Sequence, residues 1–230
     1  MQMPERVHID ESSSPYHGKF VLQPLEEGYG VTVGNALRRV LLSSLQGAAI
    51  VSVKFEGVQH EFSSLEGVKE DVAEIILNIK QLRVKLLSDE DATLRLDISG
   101  EGDIRAEHIE ANPDVQILNP ELHIATLSKN GSITLEMRVS DGRGYVVSDE
   151  LKREDDPIGV IPIDANFSPV TKVAYEVSDT RVGQRTDFNR LEMDVWTDGS
   201  IEPEDAMAYG AKLLVDHLEM FIVVHTVLLR

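Results

Sequence analysis

Residues 203–230 read PEDAMAYGAKLLVDHLEMFIVVHTVLLR and predict a single long helix. Pro203 suits the first helical position, and Glu204 and Asp205 stand in the first turn, where the helix dipole favours negative charge. At about 1.5 Å per residue, such a helix is roughly 40 Å long. Between positions 206 and 229, the only charged residues are Lys212, Asp216 and Glu219.

The three charged residues form one narrow strip of this predicted helix, and apolar side chains cover the rest of its surface. One modest domain cannot bury a helix on nearly all sides, and bare apolar surface of this kind invites aggregation. Because two-fold dimers are the commonest oligomers, we predict that a second copy covers it. The apolar residues concerned are Leu213, Leu214, Leu218, Phe221, Ile222 and Val224.

A second apolar helix is predicted at residues 33–46, with Gly47 placed to end it. On a helical wheel its apolar residues fill about half the circumference, which is more than contact with one sheet requires. Leu42 falls between Arg38 and Arg39 in angle, on the outward side. A leucine flanked by arginines is typical of a binding hot spot, but also of an exposed leucine shielded by arginine stems. The apolar arc comprises Val33, Ala36, Leu37, Val40, Leu41 and Leu45.

The residues between these helices predict mostly strands. A strand at 19–24 precedes the first helix, an amphipathic helix is predicted at 68–79, and the acidic stretch 148–156 is predicted to be an exposed loop. The other predicted strands lie at 49–55, 59–62, 82–87, 92–98, 122–127, 132–139, 170–177 and 190–196.

The strand-rich middle of the chain is predicted to be an insert. The segments before Gly47 and after Pro169 each contain too few apolar residues for a hydrophobic core, but together they supply two apolar helices and several strands. We therefore predict an α+β fold with a discontinuous dimerisation domain, residues 1–46 and 170–230, made of a sheet and two long helices. Residues 47–169 are predicted to form an inserted, mostly-β domain.

The acidic composition indicates either a chain whose partners are proteins or a chain whose charge serves only to keep it soluble. Its net charge of -18 over 230 residues repels phosphate backbones. It has no cysteine, so it can form neither a disulfide nor a thiolate zinc site, which fits a reducing cytoplasm. The apolar run at 220–224 is too short to cross a bilayer, and residues 1–20 lack the apolar core of a signal peptide.

The sequence shows no motif for catalysis. Gly28, Gly30 and Gly34 resemble a phosphate loop, but Val33 stands where a dinucleotide fingerprint needs glycine, which favours a tight turn into a helix. The seven histidines are scattered, and the nucleophile elbow of hydrolases is missing. We therefore expect no catalytic residue, metal site or cofactor. A nucleotide-dependent enzyme that uses the glycine loop is the alternative function.

Several stretches, in order, resemble the α subunit of bacterial-type RNA polymerase. The opening matches at LQPLEEGYG (22–30) and TVGNALRRVLLSS (32–44), and GNALRR (34–39) is highly specific. The resemblance covers nearly the whole chain, from about residue 19 to residue 221. Further matches are VQHEFS (58–63), GVKEDV (67–72), ILNIK (76–80), GRGY (142–145) and QRTD (184–187).

This resemblance implies the N-terminal region of the α subunit, a scaffold that performs no chemistry itself. Its homodimer would take up the β and β′ subunits, with ω, to form DNA-directed RNA polymerase, a nucleotidyltransferase of the cytoplasm that associates with the nucleoid. By similarity, Lys80 and Ile163 match positions linked to β′ recruitment. Arg39 is the residue most closely tied to β capture, and the predicted β site also includes Gly34, Asn35, Arg38 and Leu42.

The resemblance also implies which residues lie between the two copies. Tyr29 and Val40 match positions packed in the dimer contact of the family. The predicted dimer interface consists of these two residues and five apolar residues of the two long helices. The five residues are Leu37, Leu41, Leu214, Leu218 and Phe221.

The sequence departs from the family pattern in three places. Glu202 precedes Pro203, where a better capping Asp is typical, and segment 148–156 differs in length and charge. The separate C-terminal domain of the family, which binds promoter DNA, is not in this sequence, so we expect no direct DNA binding. Since the apolar helix pattern runs to Arg230, we expect the full protein to continue. A structural homodimer without polymerase partners is a third hypothesis.

Overall fold

The computed structural model of the protein describes residues 4, 7–10 and 14–228, with side chains through residue 222. Within these residues the chain folds into two compact units. The first contains the described residues up to Leu45 together with those from Ser168 onward, and the second is formed by Gln46–Phe167. The predicted α+β fold with a strand-rich insert is confirmed.

Strands predominate in the described part of the chain. In chain order, the first elements are β1 (His8–Ile9), β2 (His17–Leu25), α1 (Tyr29–Ser43), β3 (Gln46–Phe55), α2 (Val72–Ile79), β4 (Val84–Leu86), β5 (Ala92–Ser99), β6 (Gly102–Arg105), a 3₁₀ turn (Ala106–His108) and β7 (Val115–Ile117). They are followed by β8 (His123–Leu127), β9 (Ser132–Arg143), β10 (Tyr145–Val146), α3 (Ser148–Leu151), β11 (Val160–Pro162), β12 (Ala165–Asn166), β13 (Val170–Val182), β14 (Arg185–Thr197) and α4 (Pro203–Leu228).

The first unit is an antiparallel sheet with two helices on one face. The strand order is β1-β2-β14-β13, so β2 from the beginning of the chain pairs with β14 from its end. Both α1 and α4 pack on this sheet and on each other. The buried apolar residues of this core are Phe20, Leu25, Leu41, Leu45, Val170, Val173, Leu191, Met193, Val195 and Ala206.

The second unit is built around an antiparallel sheet of order β11-β3-β9-β5. Two-stranded ribbons, β4–β7, β6–β8 and β10–β12, complete it. One face of α2 is buried in the core of this unit, because apolar residues recur at helical spacing along that face. The buried residues of α2 are Val72, Ile75, Ile76 and Ile79.

The first helix differs from its prediction at both ends. It spans Tyr29–Ser43, whereas the sequence predicted residues 33–46. Gly28 adopts a left-handed conformation with φ of 83°, which only glycine adopts readily, and the chain enters the helix directly after it. Gly47 does not end the helix, because it already lies in β3, where it pairs with Gly142.

Two further elements of the second unit differ from the sequence predictions. The helix predicted from residue 68 begins at Val72, because Asp71 acts as its N-cap and accepts a hydrogen bond from the Glu74 backbone N–H at 2.7 Å. The strand predicted at 59–62 is wrong. This segment turns instead, and the N–H of Ser63 donates to the carbonyl oxygen of His60 at 3.3 Å.

The acidic stretch 148–156 is largely exposed, as predicted, but it is not a loop throughout. It begins with the short helix α3, and its last residue is held to the sheet. Asp156 accepts a 2.7 Å hydrogen bond from Nη1 of Arg138 in β9, and both side chains are largely buried. The remaining predicted strands are confirmed, with shifted ends.

The long helix α4 begins at Pro203, as predicted, with Glu204 and Asp205 in its first turn. In the part of the chain that the structure describes, no helix is both long enough and apolar enough to span a membrane. The side chain of Val224 and the predicted end of the helix near residue 229 lie outside the described residues.

Candidate functional site

The start of α1 is held by a side chain from the sheet. Oδ1 of Asn189 in β14 accepts hydrogen bonds from the backbone N–H groups of Gly28, at 2.9 Å, and Gly30, at 3.4 Å. Asn189 itself is buried. A nucleotide phosphate bound at a helix start would use backbone N–H groups of this kind. Because an amide oxygen already occupies two of them, the geometry does not favour the nucleotide-dependent enzyme considered above.

Gly34 lies where α1 comes closest to the sheet. A Cβ atom at this position would lie 2.8 Å from Cδ2 of Tyr175 and 2.9 Å from Cδ1 of Leu191, so only glycine allows this approach. Gly34 is therefore buried and shapes the predicted β site without contacting a partner through a side chain. Its neighbour Asn35 is exposed.

Arg38 and Arg39 are both exposed on α1. Nε of Arg38 donates a hydrogen bond to the carbonyl oxygen of Val173 at 3.4 Å. Among the residues that the structure describes, neither guanidinium forms an ion pair with a carboxylate. Leu42 is half-buried and packs against the core of the first unit, so its side chain is less exposed to solvent than the helical wheel indicated. The two arginines therefore present cationic groups that no carboxylate of the described residues neutralises, on a strongly acidic chain.

The predicted dimer residues fall into two groups. Tyr29, Leu218 and Phe221 are exposed, whereas Leu37, Val40 and Leu214 are half-buried. Leu41 has no exposed surface and lies against Gly210 of α4, so it is a core residue and its side chain cannot contact a second copy. The helical wheel missed this difference, because core positions and interface positions both require apolar residues.

The second half of α4 carries an unusual amount of exposed apolar surface. The exposed fractions of Phe221 and Met220 are 76% and 71%. We name this surface the α4 apolar patch. It consists of Val215, Leu218, Phe221 and Ile222, which share one side of the helix, whereas Met220 lies on the other side.

Lys80 and the segment around Ile163 come together in the second unit. Lys80 follows the last turn of α2, and its Nζ lies 3.0 Å from Oδ2 of Asp164. Ile163 is 4% exposed, and its backbone N–H donates to the carbonyl oxygen of Val51 at 3.0 Å. Its side chain belongs to the core of the unit, so Ile163 contributes to the surface by fixing the backbone next to Asp164.

Asp164 is a functional candidate that the sequence reasoning missed. Its Oδ1 accepts a 2.9 Å hydrogen bond from the backbone N–H of Ser148, and its carboxylate also accepts one from the Tyr145 hydroxyl. The bonds from Lys80, Ser148 and Tyr145, in that order of effect, hold the pKa of Asp164 well below its usual range. The same carboxylate, followed by burial, raises the pKa of Tyr145. The GRGY motif at 142–145 was the available signal.

Glu70 and His123 form a polar cluster that the sequence did not indicate. Glu70 accepts hydrogen bonds from the backbone N–H of Thr126 at 2.6 Å and from its hydroxyl at 2.9 Å. The two ring nitrogens of His123 lie 3.2 Å from Glu70 and 2.5 Å from Asp103. Burial raises the pKa of Glu70, but the hydrogen bonds from Thr126 and His123 outweigh it, and the pKa is lowered. Within the described residues, no three His, Asp or Glu side chains are arranged to hold a metal ion.

Comparison with known proteins agrees with this architecture. Residues 53–168 match the family model of the RNA polymerase Rpb3/RpoA insert domain. The chain is 55% identical to the DNA-directed RNA polymerase subunit alpha of Symbiobacterium thermophilum over 218 residues, which cover 95% of this chain and 69% of that protein. It is 51% identical to the subunit of the same name from Bacillus velezensis over 222 residues, which cover 96% of this chain and 71% of that protein. The resemblance found from the sequence motifs is confirmed, and the chain belongs to the family of bacterial DNA-directed RNA polymerase α subunits.

Proposed function

We propose that two copies of this chain form the platform on which a DNA-directed RNA polymerase, a nucleotidyltransferase, is assembled. The pair takes up the β subunit and then β′, with ω in the complete enzyme. The chain positions the catalytic subunits and contributes no catalytic residue of its own. In this role it works in the cytoplasm, at the nucleoid, and contacts proteins rather than DNA through the residues described above.

The α4 apolar patch is the observation that carries the proposal of a pair. Apolar side chains such as Phe221 and Leu218 are mostly exposed in the single chain, and exposed apolar surface of this kind marks a protein-binding site. A two-fold pair places the same patch of each copy against the other, so one sequence supplies both sides of the contact. Tyr29 of α1 is also exposed and is available to the same contact.

Arg38 and Arg39 support the proposal that α1 captures the β subunit. Arginine is enriched among the residues that dominate interface energies, because its guanidinium both stacks and donates several hydrogen bonds. On this chain the two arginines are exposed at successive positions of α1 and have no carboxylate partner among the described residues. Asn35 lies on the same helix and is exposed as well.

Capture of β by purified chains tests this proposal. Wild-type chain and the variant Arg39→Ala are each mixed with β, and co-elution on size exclusion is measured. We expect Arg39→Ala to remain a dimer but to lose β, because truncating a hot-spot residue costs about 2 kcal/mol or more, roughly a thirtyfold weaker affinity. The control is Arg181→Ala, which removes an exposed arginine from the β13–β14 hairpin of the same unit.

The possible outcomes separate the function from the site. If the wild-type chain takes up neither β nor β′, the proposed function is wrong, and a self-contained homodimer explains the molecule. If the wild-type chain and Arg39→Ala capture β equally well, the assignment of Arg39 is wrong, while the scaffold function stands.

A further inference from the structure

Asp164 connects separate segments of the second unit through one carboxylate. It lies between β11 and β12 and accepts hydrogen bonds from the ammonium group of Lys80 at 3.0 Å, from the backbone N–H of Ser148 at 2.9 Å and from the hydroxyl of Tyr145. Lys80 follows α2, Tyr145 opens β10, and Ser148 opens α3. Lys80 lies far from Tyr145 and Ser148 in the sequence, and the carboxylate brings all three to one place on the surface.

The backbone that carries Asp164 is fixed on both sides. Ile163 and Ala165, its two neighbours, are 4% and 2% exposed and lie in the core. A carboxylate on such a rigid segment holds its partners in place, whereas a free lysine side chain samples many rotamers. Lys80 and Asp164 keep about a third of their side-chain surface in solvent, 31% and 30%, so a partner can reach both.

We propose that Asp164 is the positioning residue of the β′ site, and that Tyr145 is a further contact residue beside Lys80. This inference rests on the proposed function, which assigns β′ to the Lys80 surface. Tyr145 is 63% exposed and its hydroxyl interacts with Asp164, so most of its ring is open to a partner beside Lys80. Tyrosine is one of the residues most enriched at the centres of protein interfaces.

The charges of the cluster indicate the chemistry of the partner surface. An ammonium group has three N–H donors, and Asp164 takes one of them while it also balances the positive charge. The remaining donors suit neutral acceptors such as backbone carbonyls or side-chain amides, and the tyrosine ring suits an apolar or aromatic side chain. We therefore expect this part of β′ to combine neutral hydrogen-bond acceptors with apolar side chains, and to lack a dense acidic patch.

Binding of β′ to the preformed complex of the chain with β tests the inference. The main variant is Asp164→Asn, which keeps an oxygen for the Ser148 N–H but removes the charge that holds Lys80. We expect uptake of β to stay unchanged and the affinity for β′ to fall about tenfold, as is typical when one partner of a coupled polar group is lost. In a Lys80→Met background, Asp164→Asn should cause little further loss, because its effect acts through Lys80.

Tyr145 provides a second test that does not depend on Asp164→Asn folding well. Since Tyr145 is mostly exposed, Tyr145→Ala should fold normally, and we expect it to bind β′ about tenfold more weakly. Tyr145→Phe keeps the ring but removes the anchoring hydroxyl, so its loss should be about threefold. Asp164→Glu keeps the carboxylate and should recover most of the affinity that Asp164→Asn loses.

Three results would overturn the inference. The first is wild-type affinity for β′ in both Asp164→Asn and Tyr145→Ala. The second is an equal loss from Asp164→Asn with and without Lys80, which would indicate a general structural role. The third is loss of β as well as β′ by Asp164→Asn. A wild-type chain that takes up β but never β′ would instead refute the proposed function at this site, and the two failures are thus distinguishable.

Discussion

Oδ1 of Asn189 lies 2.9 Å from the backbone nitrogen of Gly28, although the two residues are 161 positions apart in the sequence. A strand near the end of the chain thereby caps the helix near its beginning, the helix that carries Arg39. Gly30, whose N–H donates to the same oxygen, is buried. Loss of the asparagine amide leaves this N–H without its partner inside the protein, which is costly because water cannot replace it.

We expect Asn189→Ala to lower the free energy of unfolding by about 1–2 kcal/mol, because a helix cap and a buried hydrogen bond are both lost. Urea unfolding followed by circular dichroism measures this change. The control is Asn35→Ala, which removes an exposed asparagine from the same helix and should change stability by about 0.5 kcal/mol or less. Equal effects of the two variants would contradict the capping role.

Gly34→Ala should lower the free energy of unfolding by about 1 kcal/mol and weaken uptake of β. The new Cβ atom would lie within 3 Å of Tyr175 and Leu191, and overpacking of this kind costs about 1–3 kcal/mol, partly offset by the higher helix propensity of alanine. Val31→Ala, on an exposed position of α1, serves as the control. A more stable Gly34→Ala protein would show that the helix can shift without cost.

Replacing Leu218 and Phe221 together by serine should convert the proposed dimer into a monomer at micromolar concentration. Both side chains are mostly exposed in the single chain, so the change removes apolar contact area from the pair but little from the core. Light scattering measures the molar mass. Ile158→Ser is the control, because Ile158 is 90% exposed in the second unit and lies outside the proposed contact. A wild-type chain that is already monomeric would refute the pairing itself.

Glu70→Gln should reduce the loss in free energy of unfolding that the protein shows as the pH is lowered. The lowered pKa of Glu70 means that its contribution is fully present above the usual value of 4.5 and is lost as the pH falls through the lower pKa of the folded state. At pH 7 the variant should be less stable by about 1–2 kcal/mol, since hydrogen bonds to a charged group are lost. The urea midpoints of Glu70→Gln and of the wild type, measured from pH 7 to below pH 4, should become more similar as the pH falls.

Glu121→Gln provides the control for this pH dependence. Glu121 is exposed in the turn before β8, so its replacement should leave the acid dependence of the wild type unchanged. If Glu70→Gln and the wild type lose stability in parallel as the pH falls, the hydrogen bonds from Thr126 do not favour the charged form of Glu70.

The sequence was sufficient for those elements whose signals are local. Alternating apolar residues predicted β2 and β9, and Pro203 with its acidic first turn predicted the start of α4. The start of α1 was missed because its cap, Asn189, comes from a strand that follows the insert. A local pattern cannot contain a hydrogen bond whose partner is so distant.

The candidate site shows the same limit. The resemblance of the motifs led to Lys80 and Ile163 but not to Asp164, which contacts Lys80, Tyr145 and Ser148 only in the folded unit. The predicted role of Leu41 failed for a related reason. Apolar spacing identifies which face of a helix avoids water, but not whether its own sheet or a second molecule covers that face.

The pairing of β2 with β14 determines the order in which the two units can fold during translation. A ribosome releases β2 and α1 first, but their sheet cannot close until β13 and β14 have emerged. Gln46–Phe167, by contrast, contains all of its own strands and is free to fold while translation continues. A polypeptide that terminates after the insert therefore lacks the strands that complete the sheet under α1.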